Sequence, residues 1–203
     1  MIKKDDCILV MGRRGCGKSF LAKRLQSRWP RRVIIDSLNE YKKEKNRVSS
    51  FDSFAAKMQE YKDQNKKEFV LVYHFDPESD LHHEIFDQIM RVCYYFGDLQ
   101  IVVEEIQLYC TPHQLPKWLR NCLLTGRHQD LSLLFTTQRP GELNKTALSQ
   151  CAHIFCGQLS EGNDLRYVSS FLNEDSKKLS SLPKRVFLYK SDEGIKEIKN
   201  DHF

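Results

Sequence analysis

The fold of this chain is decided by the stretch Gly12-Arg13-Arg14-Gly15-Cys16-Gly17-Lys18-Ser19. An apolar run over 7–11 precedes it, and a segment of helical periodicity begins at Lys18. A strand, a glycine-rich loop and a helix in this order are the context that a phosphate-binding loop requires. The glycines let successive backbone amides converge on phosphate oxygens, and the helix N-terminus adds partial positive charge. The stretch therefore predicts a nucleotide-binding site.

Two residues of this loop have predicted roles beyond backbone contact. We expect the Lys18 ammonium to reach the β- and γ-phosphates of ATP, and the Ser19 hydroxyl to coordinate Mg²⁺. ATP and Mg²⁺ are accordingly the expected cofactors. The predicted nucleotide-binding residues are Gly12, Arg13, Arg14, Gly15, Cys16, Gly17, Lys18, Ser19 and Phe20.

A second motif is the apolar run over 100–103 that ends in two carboxylates, Glu104 and Glu105. Burial of such a strand places its charged tip at the carboxyl edge of the sheet, where open α/β sheets bind their ligands. We expect Glu104 to bind the coordination shell of Mg²⁺, usually through water, and Glu105 to act as general base toward the attacking water. The alternative is that the two glutamates merely open the loop that follows.

The next apolar run, over 131–136, leads into Thr137-Gln138-Arg139-Pro140. A polar side chain at the tip of the strand beside the phosphate loop can hydrogen-bond both the attacking water and the γ-phosphate. Gln138 is the candidate for this sensor. A proline-terminated turn with a capping threonine is the plainer interpretation.

The whole chain alternates short apolar runs with longer helical segments, which predicts a three-layer α/β fold with a mainly parallel central sheet. We expect one ATPase domain over 1–203, with a core over about 7–167 and a strand and hairpin over about 180–203. The segment 39–50 has few apolar residues, which predicts a mobile stretch. The predicted strands are 7–11, 32–36, 69–74, 100–104, 131–136, 153–157 and 185–190; the predicted helices are 18–28, 51–64, 79–96, 113–124, 145–150 and 164–172.

Composition favours a globular protein without a membrane span. Of 203 residues 40% are hydrophobic, and the longest apolar runs are far below the roughly 20 residues that cross a bilayer. Seven cysteines lie singly along the chain, so no disulfide framework is expected. We therefore expect a cytoplasmic location. The net charge of +5 is compatible with a polyanionic partner.

Five motifs of the chain occur in one order. They are residues 12–19, Ile35-Asp36 followed by Glu40-Tyr41, Val103-Glu104-Glu105, Gly126-Arg127-His128 and Thr136-Thr137-Gln138-Arg139-Pro140. Together they resemble the FtsK/HerA superfamily of P-loop motors, and the small size is most similar to the viral genome-packaging ATPases. The resemblance implies a RecA-like core with an additional strand and a catalytic glutamate. It also implies a hexameric or pentameric ring that pumps double-stranded DNA of any sequence, in the host cytoplasm and at a packaging vertex, with a capsid portal or vertex protein as a further partner.

The resemblance also implies roles for individual residues. It supports Gln138 as the sensor and makes Arg127 the candidate arginine finger, which would neutralise charge on the nucleotide of a neighbouring subunit. Arg120 and Arg139 are alternatives for that finger. The superfamily commonly has Asp where this chain has Glu104. This exchange keeps the negative charge but lengthens the side chain that reaches toward Mg²⁺. The predicted catalytic residues are Lys18, Glu105, Gln138 and Arg127, and the predicted metal ligands are Ser19 and Glu104.

Two lysine-rich segments are candidates for the lining of a DNA channel, although solvated loops are the plainer interpretation of each. One holds Lys42, Lys43, Lys45 and Arg47, and the other is Lys66-Lys67.

Three other functions use the same phosphate loop. A nucleoside-kinase-like phosphotransferase would need an acceptor pocket and an arginine-rich lid. An assembly or export ATPase would move protein. A nucleotide-dependent interaction module would lack turnover, and the presence of Glu105 disfavours it.

Overall fold

One sheet of nine strands runs through the part of the chain that the structure, a computed structural model, describes, namely residues 2–75 and 82–199. The strands are β1 (Cys7–Met11), β2 (Arg31–Asp36), β3 (Arg47–Val48), β4 (Phe69–His74), β5 (Leu99–Val103), β6 (Leu131–Thr137), β7 (His153–Cys156), β8 (Val186–Ser191) and β9 (Gly194–Lys199).

The spatial order of the strands is β3-β4-β2-β5-β6-β1-β7-β8-β9. Strands β1 to β7 pair in parallel, and β8 and β9 are added antiparallel beyond β7. Strand β6 lies between β1 and β5, as the additional-strand topology requires. Because carboxyl ends of parallel strands share an edge, the segments after β1, β2, β5, β6 and β7 all meet there. The predicted α/β fold with a mainly parallel sheet is confirmed.

Seven helices cover the sheet in the described ranges. Those from α2 onward pack with one apolar cluster, whereas α1 packs with a second cluster on the opposite face. No helix in these ranges combines the length and the apolar composition needed to cross a bilayer. The helices are α1 (Lys18–Gln26), α2 (Phe51–Asp63), α3 (His82–Phe96), α4 (Lys117–Thr125), α5 (Lys145–Ser149), α6 (Gly162–Leu172) and α7 (Ser176–Ser181).

Several predicted boundaries were wrong by a few residues, and two short elements were missed. Strand β5 ends at Val103, so Glu104 lies just beyond it. Helix α4 begins after Pro116 and not at residue 113, because proline favours the first positions of a helix and disfavours a helical residue before it. The start expected at residue 79 lies outside the described residues. Neither β3 nor α7 was predicted, since each is too short for a periodic pattern.

The segment 39–50, predicted to be mobile because it has few apolar residues, does have one buried anchor. Tyr41 is 5% exposed and belongs to the second apolar cluster. Asp36, which is fully buried, accepts hydrogen bonds from the backbone N–H groups of Glu40 (2.8 Å) and Tyr41 (3.0 Å). The segment therefore covers part of the sheet face that α1 leaves open. Its basic residues follow Tyr41, whose position is fixed by these contacts.

Candidate functional site

The phosphate loop joins the end of β1 to α1 and is fixed by its neighbours. The Gly12 N–H donates to the carbonyl of Thr137 at the end of β6 (3.2 Å), and the Arg13 N–H donates to the carbonyl of Gln158 beyond β7 (2.7 Å). Gly17 caps α1 with a φ of +107°, in the region that favours glycine. Hydrogen bonds to the ends of two neighbouring strands thus fix the conformation of the loop.

A turn from the C-terminal part of the chain closes the other side of the loop. The Arg185 N–H donates to the carbonyl of Cys16 (2.8 Å), and the Arg185 guanidinium lies 5.4 Å from the centre of the Phe20 ring. A Cβ on Gly17 would lie 3.2 Å from Arg185 Cγ, so a larger residue would press against this turn. The predicted core over 7–167 thus omits residues that touch the loop.

A cavity of about 620 Å³ opens above the loop, a volume typical of small-molecule sites. Its wall contains most of the predicted site and four residues that were not predicted, Leu38, Glu40, Lys184 and Arg185. The predicted residues in the wall are Arg14, Gly15, Gly17, Lys18, Ser19, Phe20, Glu105 and Gln138.

Glu105 faces the phosphate loop, as the sequence predicted. Its Oε1 lies 3.9 Å from Lys18 Nζ, and both side chains are almost fully buried. Gln138 donates to Glu105 through its backbone N–H (3.0 Å) and through Nε2 (2.8 Å), and Gln107 Nε2 donates a further bond of 2.8 Å. The predicted base and sensor are therefore in direct contact, and Gln107 was missed because no motif marks it.

The backbone of Glu105 is strained. Its φ is +52°, a left-handed conformation that costs a non-glycine residue about 1 kcal/mol or more. The Glu105 N–H donates to Thr136 Oγ1 on β6 (3.1 Å). This turn directs the carboxylate toward Lys18, and such strain is a recurrent feature of functional sites.

Glu104 is 2% exposed and is not part of the cavity wall. Its Oε1 accepts a hydrogen bond from the Tyr41 hydroxyl (2.9 Å), and its Oε2 accepts one from Thr136. Burial raises the pKa of Glu104, the bonds from Thr136 and Tyr41 oppose that effect, and the carboxylates of Glu40 and Glu105 add to it. Burial also raises the pKa of Tyr41, so its hydroxyl stays a donor.

The donor set fits a divalent cation. No ion pair to the Glu104 carboxylate is seen in residues 2–75 and 82–199, so its buried charge has only hydrogen bonds to compensate it. Ser19 supplies a hydroxyl on the cavity wall. Hydroxyl and carboxylate oxygens are ligands that Mg²⁺ prefers.

The structure places Arg127 far from this cavity, whereas the other predicted residues outside its wall, Gly12, Arg13, Cys16 and Glu104, are next to residues that line it or one residue further along the chain. It is exposed, follows α4, and lines a separate cavity with Asp5 and Asp6 at the start of β1. That is the amino edge of the sheet, opposite the phosphate loop. Arg127 therefore does not reach the nucleotide site of its own subunit, and its role in trans stays a prediction.

The two alternative arginines differ in their surroundings. Arg139 donates to Asp164 (3.0 Å) and pairs with Glu142 (2.9 Å). These ion pairs occupy its guanidinium beside the turn that follows Gln138. Arg120 is exposed on α4.

Neither a search of protein-family models nor a search of curated proteins finds a match to this chain. Solved structures match it almost end to end. The genome packaging NTPase B204 from Sulfolobus turreted icosahedral virus 2, in complex with AMPPCP, has a TM-score of 0.76 and 23% identity over 98% of this chain and 99% of that one. The DNA-packaging ATPase B204 from Sulfolobus Turreted Icosahedral Virus has a TM-score of 0.72 and 23% identity, over 96% and 97%.

A more distant match is EssC (ATPases 2 and 3) from Geobacillus thermodenitrificans, with a TM-score of 0.54 and 12% identity over 97% of this chain and 39% of that one. Identities this low establish the fold alone. The resemblance to viral genome-packaging ATPases that the motifs indicated is thus confirmed at the level of the fold, which is that of P-loop NTPases.

We expect Lys18→Ala to weaken ATP binding at least about tenfold, because charge-assisted hydrogen bonds to phosphate contribute about 1.5–3 kcal/mol each. Isothermal titration calorimetry with ATP and Mg²⁺ measures the effect. The matched control is Lys177→Ala, which removes an exposed lysine of α7 and should bind like the wild type. Equal affinities for the two variants would contradict the assigned role of Lys18.

Proposed function

We propose that this chain is a Mg²⁺-dependent ATPase that drives double-stranded DNA through a ring of identical subunits, in the packaging of a viral genome. The observation that carries the proposal is the contact of Glu105 with both Lys18 and Gln138 at the phosphate loop. A phosphate-binding loop alone is compatible with a nucleotide switch. A buried carboxylate beside the position of the γ-phosphate supports hydrolysis.

In the proposed reaction, the loop amides and Lys18 bind the β- and γ-phosphates of ATP. Glu105 accepts a proton from water as the water oxygen attacks the γ-phosphorus, and the bond to the β–γ bridging oxygen breaks to give ADP and phosphate. Gln138 orients that water. Bound Mg²⁺, held by Ser19 and through water by Glu104, would neutralise phosphate charge.

The base must be released from its own neighbours before it can act. Three amide N–H groups from Gln107 and Gln138 donate to the Glu105 carboxylate. These bonds occupy both carboxylate oxygens, so one of them must break before Glu105 can contact the attacking water. Rearrangement of Gln138 around the γ-phosphate would free one oxygen and bring the sensor to its ligand.

The translocation step is supported by the matched structures and by the charge of the chain. The names of the matched structures state genome or DNA packaging, and this chain has a net charge of +5. Arg127 is exposed, so it is accessible to a neighbouring subunit of a ring. The proposal places the ring in the host cytoplasm against a capsid portal or vertex protein.

The test of this function is the ATPase rate with and without duplex DNA, with a nucleoside acceptor in a parallel assay. Duplex DNA of unrelated sequences should raise the rate to a similar extent, since phosphate contacts carry no sequence information. Phosphate transfer to the nucleoside would replace this proposal with a phosphotransferase. An unchanged rate with DNA would remove the translocase and leave an ATPase with another cargo.

Glu105→Gln should bind ATP with unchanged affinity but hydrolyse it about 100-fold more slowly or worse, since a positioned general base contributes about 10²–10⁴. Pre-steady-state phosphate release and a nucleotide titration separate the two effects. The control variant is Glu68→Gln, an exposed glutamate before β4, which should keep wild-type turnover. Normal turnover by Glu105→Gln would exclude Glu105 as the base.

The role of Arg127 is tested by mixing. If its guanidinium completes the site of a neighbour, adding Arg127→Ala subunits to wild-type protein should lower the ATPase rate more steeply than their fraction. Arg28→Ala, which changes an exposed arginine that follows α1 and has no assigned role, is the control. A linear decline with Arg127→Ala would mean that it is no finger.

A further inference from the structure

A second cavity, of about 570 Å³, adjoins the nucleotide cavity, and Glu40 lines both. It lies on the sheet face that α1 and the segment after β2 cover. We name it the basic groove, because four cationic side chains line it against the two carboxylates of Glu40 and Glu44. The cationic residues are Lys23, Arg32, Lys42 and Lys43.

The positive charge of the groove is not neutralised by ion pairs within the described ranges. No carboxylate forms an ion pair with Lys23, Arg32, Lys42 or Lys43 there. Lys42 and Lys43 are exposed, whereas Arg32 donates from Nη1 to the carbonyl of Gln26 (3.2 Å) and its buried Nε has no hydrogen-bond partner. Lysine and arginine side chains in this state suit a polyanion that is bound through its phosphates.

The second lysine-rich segment differs in both position and partners. Lys66-Lys67 precedes β4 and thus lies at the amino edge of the sheet, away from the phosphate loop. Lys66 Nζ lies 4.5 Å from the centre of the Tyr61 ring, and Lys67 Nζ bonds to Asn65 (3.0 Å). The structure therefore separates two clusters that the sequence could not rank.

Tyr41 links the basic groove to the nucleotide site. Its hydroxyl accepts a hydrogen bond from Gln26 Nε2 (3.0 Å) and donates to Glu104 Oε1 (2.9 Å). Lys23 Nζ lies 4.6 Å from the centre of its ring. The next two residues are Lys42 and Lys43, so a ligand that moves them acts directly on the residue that holds Glu104.

We propose that the basic groove binds the phosphate backbone of DNA, and that Tyr41 is a positioning residue that changes the hydrogen bonding of Glu104 when DNA is bound. This inference rests on the proposed function, and it assigns the basic groove as the DNA-binding site of the proposed translocase. The contacts available, lysine and arginine on a phosphate chain, would bind any sequence equally. A single tyrosine between cargo and metal ligand would give the ATPase a direct response to DNA.

The binding half is tested by fluorescence anisotropy with a labelled mixed-sequence duplex at several salt concentrations. The double variant Lys42→Ala/Lys43→Ala should bind at least about tenfold more weakly than wild type, and the slope of log K against log salt should fall by about 1.8, since each phosphate contact contributes about 0.9. The matched control, Lys66→Ala/Lys67→Ala, should stay within about twofold of wild type. Equal losses in both variants, or a loss in the control alone, would overturn the inference.

The coupling half is tested with Tyr41→Phe, which keeps the ring and removes the hydroxyl. The ratio of the DNA-stimulated to the basal ATPase rate should fall at least about fivefold while the affinity for the duplex stays within about twofold of wild type, and the Mg²⁺ concentration for half-maximal rate should change. If Tyr41 had only a structural role, the stimulation ratio and the Mg²⁺ dependence would change only together with a lower midpoint of thermal unfolding. Wild-type stimulation in Tyr41→Phe would refute the link.

Two outcomes distinguish the failure of this inference from the failure of the proposed function. If wild-type protein binds no duplex at all, the translocase proposal itself fails. If wild-type protein binds DNA but Lys42→Ala/Lys43→Ala loses its ring assembly by light scattering, the groove is a contact between subunits and not a DNA site, which overturns this inference alone.

Discussion

The site depends on the hydrogen-bonded position of β6 between β1 and β5. Through Thr137 this strand accepts a bond from Gly12 of the phosphate loop, and through Thr136 it bonds both Glu104 and the backbone of Glu105. The loop and the carboxylates are thus set apart by one strand, which leaves room for the terminal phosphate between them. Gln138 follows at the tip of the same strand and contacts the Glu105 carboxylate.

Burial of the charged side chains at this site lowers the free energy of unfolding. Lys18, Glu104 and Glu105 are all nearly inaccessible, and Glu105 also has a strained backbone. Buried charges are tolerated where hydrogen bonds satisfy them, and here the amides of Gln107 and Gln138 and the hydroxyls of Thr136 and Tyr41 do so. The low local dielectric would strengthen the electrostatic interactions of these side chains with a bound phosphate and metal. The burial of charge that destabilises the fold would thus also strengthen ligand binding.

The unequal cover of the two sheet faces explains why the segment after β2 is central to the site. A face with several helices would bury β2 and β4 without help, but in the described ranges this face has α1 alone. Tyr41 fills the gap and meets Glu104 there. Because Tyr41 packs into the apolar cluster, the backbone positions of Lys42 and Lys43, which follow it directly, are set as well. Packing and the proposed response to DNA are connected in this way.

The sequence by itself determined the phosphate loop, the order of strands and helices, and the identities of Glu104, Glu105 and Gln138, because each depends on local spacing and on the rule that parallel strands end at one edge. Only the tertiary structure decided that Gln107, Arg185 and Tyr41 belong to the site, that Arg127 lies at the opposite edge, and which lysine cluster adjoins the nucleotide. Those facts depend on contacts between residues that are distant in the chain or that carry no periodic signal. Side-chain direction and the cover of a sheet face arise from the packing of the whole chain, which local pattern does not encode.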